Sequence, residues 1–226
     1  LMDYLLLTKR TLPKFLLPSA AAFGAMVRPE RADLVGVTSE TVGVFKYKQL
    51  LSQLSADRES QNVLQGQVSK ISKHALLKAR LCERGSLGHA YASFMDSRMF
   101  EPSDRPPVRF LADGKSQLIA VRMREIHDIL HVLFDCPTTL RGELTLKAIE
   151  FVQYGIPAHW ASTYFASSRL NHEEQYFLAT KLLPWAVRAG CTASRLLVID
   201  YEEFFPEQID HLRSAWGIQV VPKSFS

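Results

Sequence analysis

Four side chains suited to metal chemistry lie close together in the sequence: His127, Asp128, His131 and Glu143. On a helix His127 and His131 are one turn apart and share a face, and Asp128 borders that face. Eleven residues separate His131 from Glu143, with Pro137 near the middle. Imidazoles and carboxylates together suit zinc, iron or manganese and, less well, magnesium. We therefore predict that these four residues hold one divalent metal ion. They would take part in catalysis through that metal.

Two helices must position these ligands. The apolar spacing of residues 116–134 predicts a helix that carries both histidines. Pro137 interrupts it, and a second helix is predicted from about Leu140 to Tyr154, capped by Thr138 or Thr139. In an antiparallel hairpin the second histidine and the glutamate would each lie about one turn from the connection. The hairpin would then place the glutamate opposite the histidines.

Interpretations of the same residues without a metal or catalysis stay open. Two histidines one turn apart are often unrelated surface residues, and short motifs match by chance. The pattern H-D-x-x-H also differs from the peptidase pattern H-E-x-x-H, because the shorter arm of Asp128 suits a ligand better than a base. Arg124, one turn before Asp128, could hold a substrate carboxylate or lower the pKa of Asp128. An ordinary intrahelical ion pair of these two residues is the favoured interpretation.

The rest of the chain predicts an all-α fold. A strand at Leu196–Tyr201 is plausible, but a lone strand cannot build a sheet. We predict one helical bundle over residues 1–226, with its core at about residues 15–217 and the metal-binding hairpin at its centre. Further helices are predicted at Thr41–Leu54, at Ser86–Phe94, from the Gly155-Ile156-Pro157 break to about Phe165, at Glu173–Ala189 with a kink at Pro184, and at Gln208–Trp216.

Composition narrows the class of partner. The chain has 226 residues, 47% hydrophobic and 22% charged, with a formal net charge of +4. This mild basic excess suits an anionic membrane surface or an acidic small molecule. No nucleic-acid partner is expected, because the basic residues are scattered and no recognition motif accompanies them. The three cysteines form no C-x-x-C pair, which argues against disulfides and thiolate zinc and fits a reducing compartment.

The N-terminal region contains one apolar stretch, Phe15 to Val27, preceded by basic residues and interrupted by Pro18. It is too short to span a bilayer and lacks the cleavage site of a signal peptide. We predict a buried or membrane-touching helix here.

The pattern H-D-x-x-H, eleven residues and E resembles the mark of the coenzyme Q (ubiquinone) biosynthesis family of zinc-binding lyases. The resemblance covers roughly Phe15 to Gly217. Around the motif it includes Arg124-Glu125, Pro137-Thr138, Gly142-Glu143, Leu146-Lys147, Glu150 and Gly155-Ile156-Pro157. Elsewhere it includes Glu40-Thr41-Val42-Gly43, Gly85-Ser86-Leu87-Gly88 with Tyr91 and Phe94, Asp104-Arg105-Pro106 with Arg109-Phe110, and Pro184-Trp185-Ala186.

The resemblance implies removal of the ring carboxyl group from a prenylated 4-hydroxybenzoate derivative, with zinc as the metal. Hydroxylation of the same ring carbon would need oxygen activation and would favour iron. The resemblance also implies a membrane surface, other quinone-biosynthesis proteins, and a prenylated aromatic or other isoprenoid lipid as partners. The lipid would lie in an apolar channel, for which the candidate walls are Phe15–Val27, Ile126–Phe134 and Ile156–Phe165.

The sequence departs from the family pattern in two places, and each departure leads to an expectation. The chain has no room for a mitochondrial presequence, which suggests a bacterial protein peripheral to the cytoplasmic face of the membrane. It also reads Lys147-Ala148-Ile149-Glu150 where an aromatic residue is expected, so the nearby apolar pocket could differ in shape.

Two other functions remain open. A non-catalytic scaffold for quinone-biosynthesis enzymes is one, because four protein ligands would close a tetrahedral site, as in structural zinc sites. A prenyl-phosphate phosphohydrolase is the other, although it would need further ligands and His89 and Asp200 are unconvincing candidates. A homodimer is expected only because two-fold symmetric dimers are the commonest protein assemblies.

Overall fold

The computed structural model describes residues 40, 43–56 and 58–223. This part of the chain forms helices joined by turns and irregular segments and contains no strand. The helices are α1 (Val44–Leu54), α2 (Arg58–Leu64), α3 (Lys73–Arg80), α4 (Leu87–Arg98), α5 (Gly114–Phe134), α6 (Leu140–Tyr154), α7 (Pro157–Ser167), α8 (His172–Phe177), α9 (Leu183–Thr192) and α10 (Ile209–Ala215). Two short 3-10 helices, Pro102–Asp104 and Leu196–Val198, and one π-helical turn, Leu178–Leu182, complete them. The predicted all-α fold is confirmed.

Helix α5 is defined at both ends by specific caps. At its start the Asp113 carboxylate accepts hydrogen bonds from the backbone N–H groups of Lys115 and Ser116, at 3.3 and 2.9 Å. At its end Asp135 adopts the left-handed conformation, with φ of 55°. The Arg213 guanidinium donates to the carbonyl groups of Val132 and Leu133, both at 2.9 Å. These caps set the point at which the chain turns toward α6.

The connection between α5 and α6 is tight. Thr139 caps α6 by accepting a hydrogen bond from the backbone N–H of Gly142 at 3.3 Å. A Cβ atom placed on Gly142 would lie 2.0 Å from the carbonyl oxygen of Pro137, so only glycine fits against this turn. Glu143, the next residue, reaches both His127 and His131 across the hairpin. The predicted antiparallel hairpin is confirmed.

The hairpin lies inside the bundle. Helix α5 packs against α1, α2 and α4, and α6 packs against α7 and α9. The core side of α5 is fully buried at Ile126, Ile129, Leu130 and Leu133. Burial on both helices holds the backbone that carries the predicted ligands, because such cores are packed nearly as densely as organic crystals. Among the described helices, none combines the length and the apolar composition needed to cross a bilayer.

Several predicted boundaries need correction. Residues 196–201 form a 3-10 helix and a turn rather than a strand, because no described segment pairs with them. The helix predicted at Glu173–Ala189 is divided by the π-helical turn, and Pro184 lies in the first turn of α9, where proline is tolerated. Helices α2 and α3 were not predicted. The stretch Phe15–Val27 lies outside the described residues, and the single-domain prediction stays a prediction.

Candidate metal centre

Three of the four predicted ligands meet in the structure. The Nε2 atom of His131 lies 3.0 Å from one carboxylate oxygen of Glu143, and the Nε2 atom of His127 lies 3.4 Å from the other. The two imidazole rings are nearly perpendicular, with centroids 4.8 Å apart. One donor atom from each residue falls within 4.8 Å of the others, a spacing that could hold a metal ion. We call these three residues the triad.

The Nδ1 atom of each imidazole, on the side away from Glu143, contacts an oxygen atom that can accept a hydrogen bond. The Nδ1 atom of His131 lies 2.9 Å from the carbonyl oxygen of Cys136, which can only accept, so this nitrogen carries the proton. The Nδ1 atom of His127 lies 2.8 Å from a carboxylate oxygen of Glu150. Such outer partners fix the orientation and tautomer of histidine ligands and leave Nε2 for the metal. The donor set and its outer contacts fit a divalent metal.

Glu150 links the triad to a buried group of charges. Its side chain is only 2% exposed, and its second oxygen lies 2.6 Å from Nζ of Lys147 and 3.6 Å from Nδ1 of His159. Burial alone would raise the pKa of Glu150, but Lys147 and the two histidines hold it well below its ordinary value. Glu150 is therefore an anion placed against His127, as in other carboxylate–histidine–metal arrangements.

Asp128 is not brought to the triad. Its carboxylate forms an ion pair with the Arg105 guanidinium, at 2.9 Å from Nη2 and 3.2 Å from Nε. Arg105 also donates to the carbonyl oxygen of Ile71 and to the Tyr91 hydroxyl. The pair is mostly buried, with Arg105 and Asp128 side chains 14% and 18% exposed. Asp128 thus ties α5 to the segment before it, and its role as a metal ligand stays a prediction.

Arg124 also has an unexpected partner. Its guanidinium pairs with the buried carboxylate of Glu40 and donates to the carbonyl oxygen of Pro106 at 2.6 Å. The other oxygen of Glu40 accepts the backbone N–H groups of Arg109 and Phe110, at 2.7 and 2.6 Å. The favoured interpretation, an intrahelical ion pair with Asp128, is therefore wrong. Arg124 as a holder of a substrate carboxylate stays a prediction.

Neighbouring charges shift the pKa values of His127 and Glu143 in the triad. Burial and Lys147 would lower the pKa of His127, but Glu150 and Glu143 raise it to about 9. Burial would raise the pKa of Glu143, but its hydrogen bonds to His127 and His131 hold it well below its ordinary value. A proton on His127 therefore balances part of the negative charge of Glu143 and Glu150.

Zinc binding should accordingly release protons in a pH-dependent way. Near pH 7.5 the raised pKa keeps His127 mostly protonated, whereas a metal binds only the neutral imidazole. We expect release of at least about one proton per bound zinc, and an apparent affinity that rises about tenfold per pH unit between pH 7 and 9. Calorimetric titration in buffers of different ionisation enthalpy measures both. Proton release that stays near zero at pH 7 would contradict this expectation.

A cleft of about 680 Å³ opens beside His131. Its walls include Phe94, Arg98, Cys136 and Arg213, and the Phe94 ring stacks on the His131 ring with centroids 5.5 Å apart. Charged side chains such as Arg98 and Arg213 lie beside apolar ones such as Val132 and Val221, so the cleft is not the wholly apolar channel expected for a prenyl chain. Of the predicted channel walls, residues 126–134 are mostly packed in the core, Phe15–Val27 lies outside the described residues, and the channel stays a prediction.

Sequence reasoning named Lys147, Glu150 and Arg105 as matches to the family but gave them no role beside the triad or Asp128. Glu150 could have been found, because it lies seven residues after Glu143 and so shares its helix face. The same face includes Lys147, one turn after Glu143. Arg105 gave no comparable signal, since it reaches Asp128 from an irregular segment. The carbonyl of Cys136 belongs to the backbone and is invisible in a pattern of side chains.

The fold and the triad define an all-helical protein with a candidate metal centre in an interhelical hairpin. The chain belongs to the family of the coenzyme Q (ubiquinone) biosynthesis protein Coq4, which it matches over residues 7–222. It is 36% identical over 213 residues to the mitochondrial ubiquinone biosynthesis protein COQ4 homolog of Mus musculus, covering 94% of this chain and 80% of that protein. The Homo sapiens homolog is 35% identical over 213 residues, covering 93% and 80%.

A solved structure shares the fold. The crystal structure of a proposed ubiquinone biosynthesis protein from Nostoc punctiforme superimposes with a TM-score of 0.71. The match covers 89% of this chain and 96% of that one, at 18% sequence identity. At this identity the likeness concerns the architecture alone.

The predicted bacterial origin and cytoplasmic face are wrong. The mouse, human and Coprinopsis cinerea relatives are all named as mitochondrial proteins. The prediction relied on the absence of a presequence ahead of Phe15, but the first residue of this chain does not show where the protein begins.

Proposed function

We propose that this protein is a metal-dependent lyase that removes the ring carboxyl group of a prenylated 4-hydroxybenzoate intermediate in ubiquinone biosynthesis. The observation that carries the proposal is the three-residue donor set of His127, His131 and Glu143. Three protein ligands are typical of catalytic sites, which keep a position for water or substrate, whereas structural zinc sites have four. Membership of the family supports the pathway, and the geometry supports a catalytic rather than a purely structural metal.

The triad would hold the divalent ion, with zinc favoured by the resemblance and iron or manganese also compatible with its donors. When bound, the metal would supply a Lewis acid that orients the substrate carboxylate and withdraws charge from it.

The protein's own side chains would prepare the site for this reaction. Glu150 and the carbonyl of Cys136 keep both imidazoles turned toward Glu143. The ammonium group of Lys147, 2.6 Å from Glu150 and 3.5 Å from Nδ1 of His127, balances the charge of Glu150 on the far side of that imidazole. When the carbon–carbon bond breaks, carbon dioxide leaves and the ring carbon keeps the electron pair and takes up a proton. A proton donor at the site would complete the reaction.

The alternatives receive less support from the contacts. A phosphohydrolase would need His89 or Asp200 beside the triad, but in the described part of the chain neither joins it, and Asp200 instead accepts the backbone N–H of Ser69 at 2.8 Å. A scaffold with a structural metal would be expected to close the site with a fourth protein ligand, and Asp128 is held away by Arg105. The scaffold remains an outcome of the experiment.

The experiment follows carbon dioxide. Purified protein, loaded in turn with zinc, iron or manganese, is mixed in detergent with a prenylated 4-hydroxybenzoate derivative labelled at the ring carboxyl carbon. We expect release of labelled carbon dioxide with at least one metal and none after chelation. Tight binding of the prenylated compound without carbon dioxide from any metal form would favour the scaffold.

A further inference from the structure

Helix α7 places a histidine against the carboxylate that holds the triad from outside. The Nδ1 atom of His159 lies 3.6 Å from the Glu150 oxygen that also contacts Nζ of Lys147. The other oxygen of Glu150 lies 2.8 Å from Nδ1 of His127. Glu150 therefore stands between a histidine of the triad on α5 and a histidine of α7. We call His159, Glu150 and His127 the outer row.

The packing of α7 on α6 fixes the position of His159. One turn further along α7, the Thr163 hydroxyl donates to the carbonyl oxygen of Leu144 at 3.2 Å. The Tyr154 ring meets the His159 ring edge-on, with centroids 6.3 Å apart. His159 and Thr163 are both buried. Because these contacts hold α7 against α6, the imidazole faces Glu150 and cannot turn to solvent.

The polar atom of His159 is costly at this place in the core. Its Nδ1 atom is buried and has no hydrogen-bond partner among the described residues. Burial lowers the pKa of His159 to about 4, so the ring is neutral at pH 7 and carries one proton. The contact with Glu150 is slightly longer than a hydrogen bond. An apolar side chain of similar size would avoid the cost of a buried, unpaired polar atom, so the histidine calls for an explanation.

We propose that His159 is a positioning residue for the metal centre, which acts through Glu150 on His127. His159 and Lys147 face the same oxygen of Glu150, which leaves the other oxygen directed at His127. The Lys147 side chain is 21% exposed and that of His159 only 9%, so the histidine steadies the carboxylate from the core side. Outer partners of this kind fix the orientation of a metal-binding imidazole and raise its basicity. The inference rests on the metal centre of the proposed function and adds a third helix to it.

The test measures metal binding rather than turnover. His159→Phe keeps a ring but removes Nδ1, whereas His159→Gln keeps an N–H group. We expect zinc affinity, measured by competition with a coloured chelator, to fall at least about tenfold in His159→Phe and less than about threefold in His159→Gln. The visible spectrum of cobalt(II), bound in place of zinc, should also change in His159→Phe, because a reoriented His127 changes the ligand field.

Thr163→Val is the matched control. It removes a buried hydrogen bond of the same helix but has no contact with Glu150. We expect a lower melting temperature for this variant, with zinc affinity and the cobalt spectrum unchanged. Zinc affinity in His159→Phe equal to that of the unchanged protein would overturn the proposal. So would an equal loss of affinity in both variants, because the effect would then follow the packing of α7 and not the contact with Glu150.

A second variant covers the case in which the larger ring does not fit. His159→Leu also removes Nδ1 and should lower zinc affinity as His159→Phe does. If both apolar variants fail to fold, the role of His159 is structural and the proposal falls. Turnover enters none of these measurements. A protein that binds zinc through the outer row but releases no carbon dioxide would contradict the lyase and leave this proposal standing.

Discussion

Glu143→Gln is expected to abolish metal binding without unfolding the protein. The amide keeps the size of the carboxylate, so no cavity forms, but it removes the anionic ligand that faces both histidine Nε2 atoms. Metal content should fall from about one per chain to background, with affinity reduced at least about 100-fold. Turnover should fall by a similar factor, since the metal would supply the Lewis acid. Mass spectrometry of the purified protein measures the metal, and thermal unfolding measures the fold.

The control for this variant is Glu173→Gln, which removes the same charge from the exposed first turn of α8. It should retain metal, turnover and melting temperature. If Glu143→Gln keeps a full complement of metal, the ligand set must be different, and Asp128 would be the next candidate. If it unfolds, the metal serves structure and the scaffold gains support.

Gly142→Ala is expected to damage both stability and metal binding. The added methyl group would lie 2.0 Å from the carbonyl oxygen of Pro137 and 2.8 Å from its carbonyl carbon. Because these are backbone atoms, the clash cannot be relieved by rotating a side chain, and the start of α6 must shift. We expect a loss of about 1–3 kcal/mol in the free energy of unfolding, the usual range for overpacking. Since Glu143 is the next residue, zinc affinity should also fall at least about tenfold.

Gly114→Ala is the matched control, because a Cβ atom there meets no other atom within 4 Å. This residue begins α5, and alanine should change the unfolding free energy by less than about 1 kcal/mol, if anything toward greater stability. Denaturant unfolding and zinc titration of the two variants side by side make the comparison. Equal stability and equal zinc affinity in both variants would show that the tight hairpin turn does not position Glu143.

The local features of the metal centre could be predicted from the sequence. Helical periodicity places His127 and His131 on one face, and Pro137 with a threonine cap sets the ends of both helices. The spacing to Glu143 then follows from the antiparallel hairpin. The predicted second helix, Leu140–Tyr154, has the bounds found in the structure. These features depend on contacts between residues near one another in the chain. A sequence pattern can predict such contacts.

The partners that cross between distant elements were decided only by the tertiary structure. Asp128 pairs with Arg105 and Arg124 with Glu40, although Asp128 was predicted to ligate the metal and to pair with Arg124. The predicted channel wall at Ile156–Phe165 stays a prediction, and in the structure Trp160, Tyr164 and Phe165 of this range are exposed. The physical reason is the same in each case. Helical period determines which residues share a face, but the identity of the element packed against that face depends on how the whole chain buries its core.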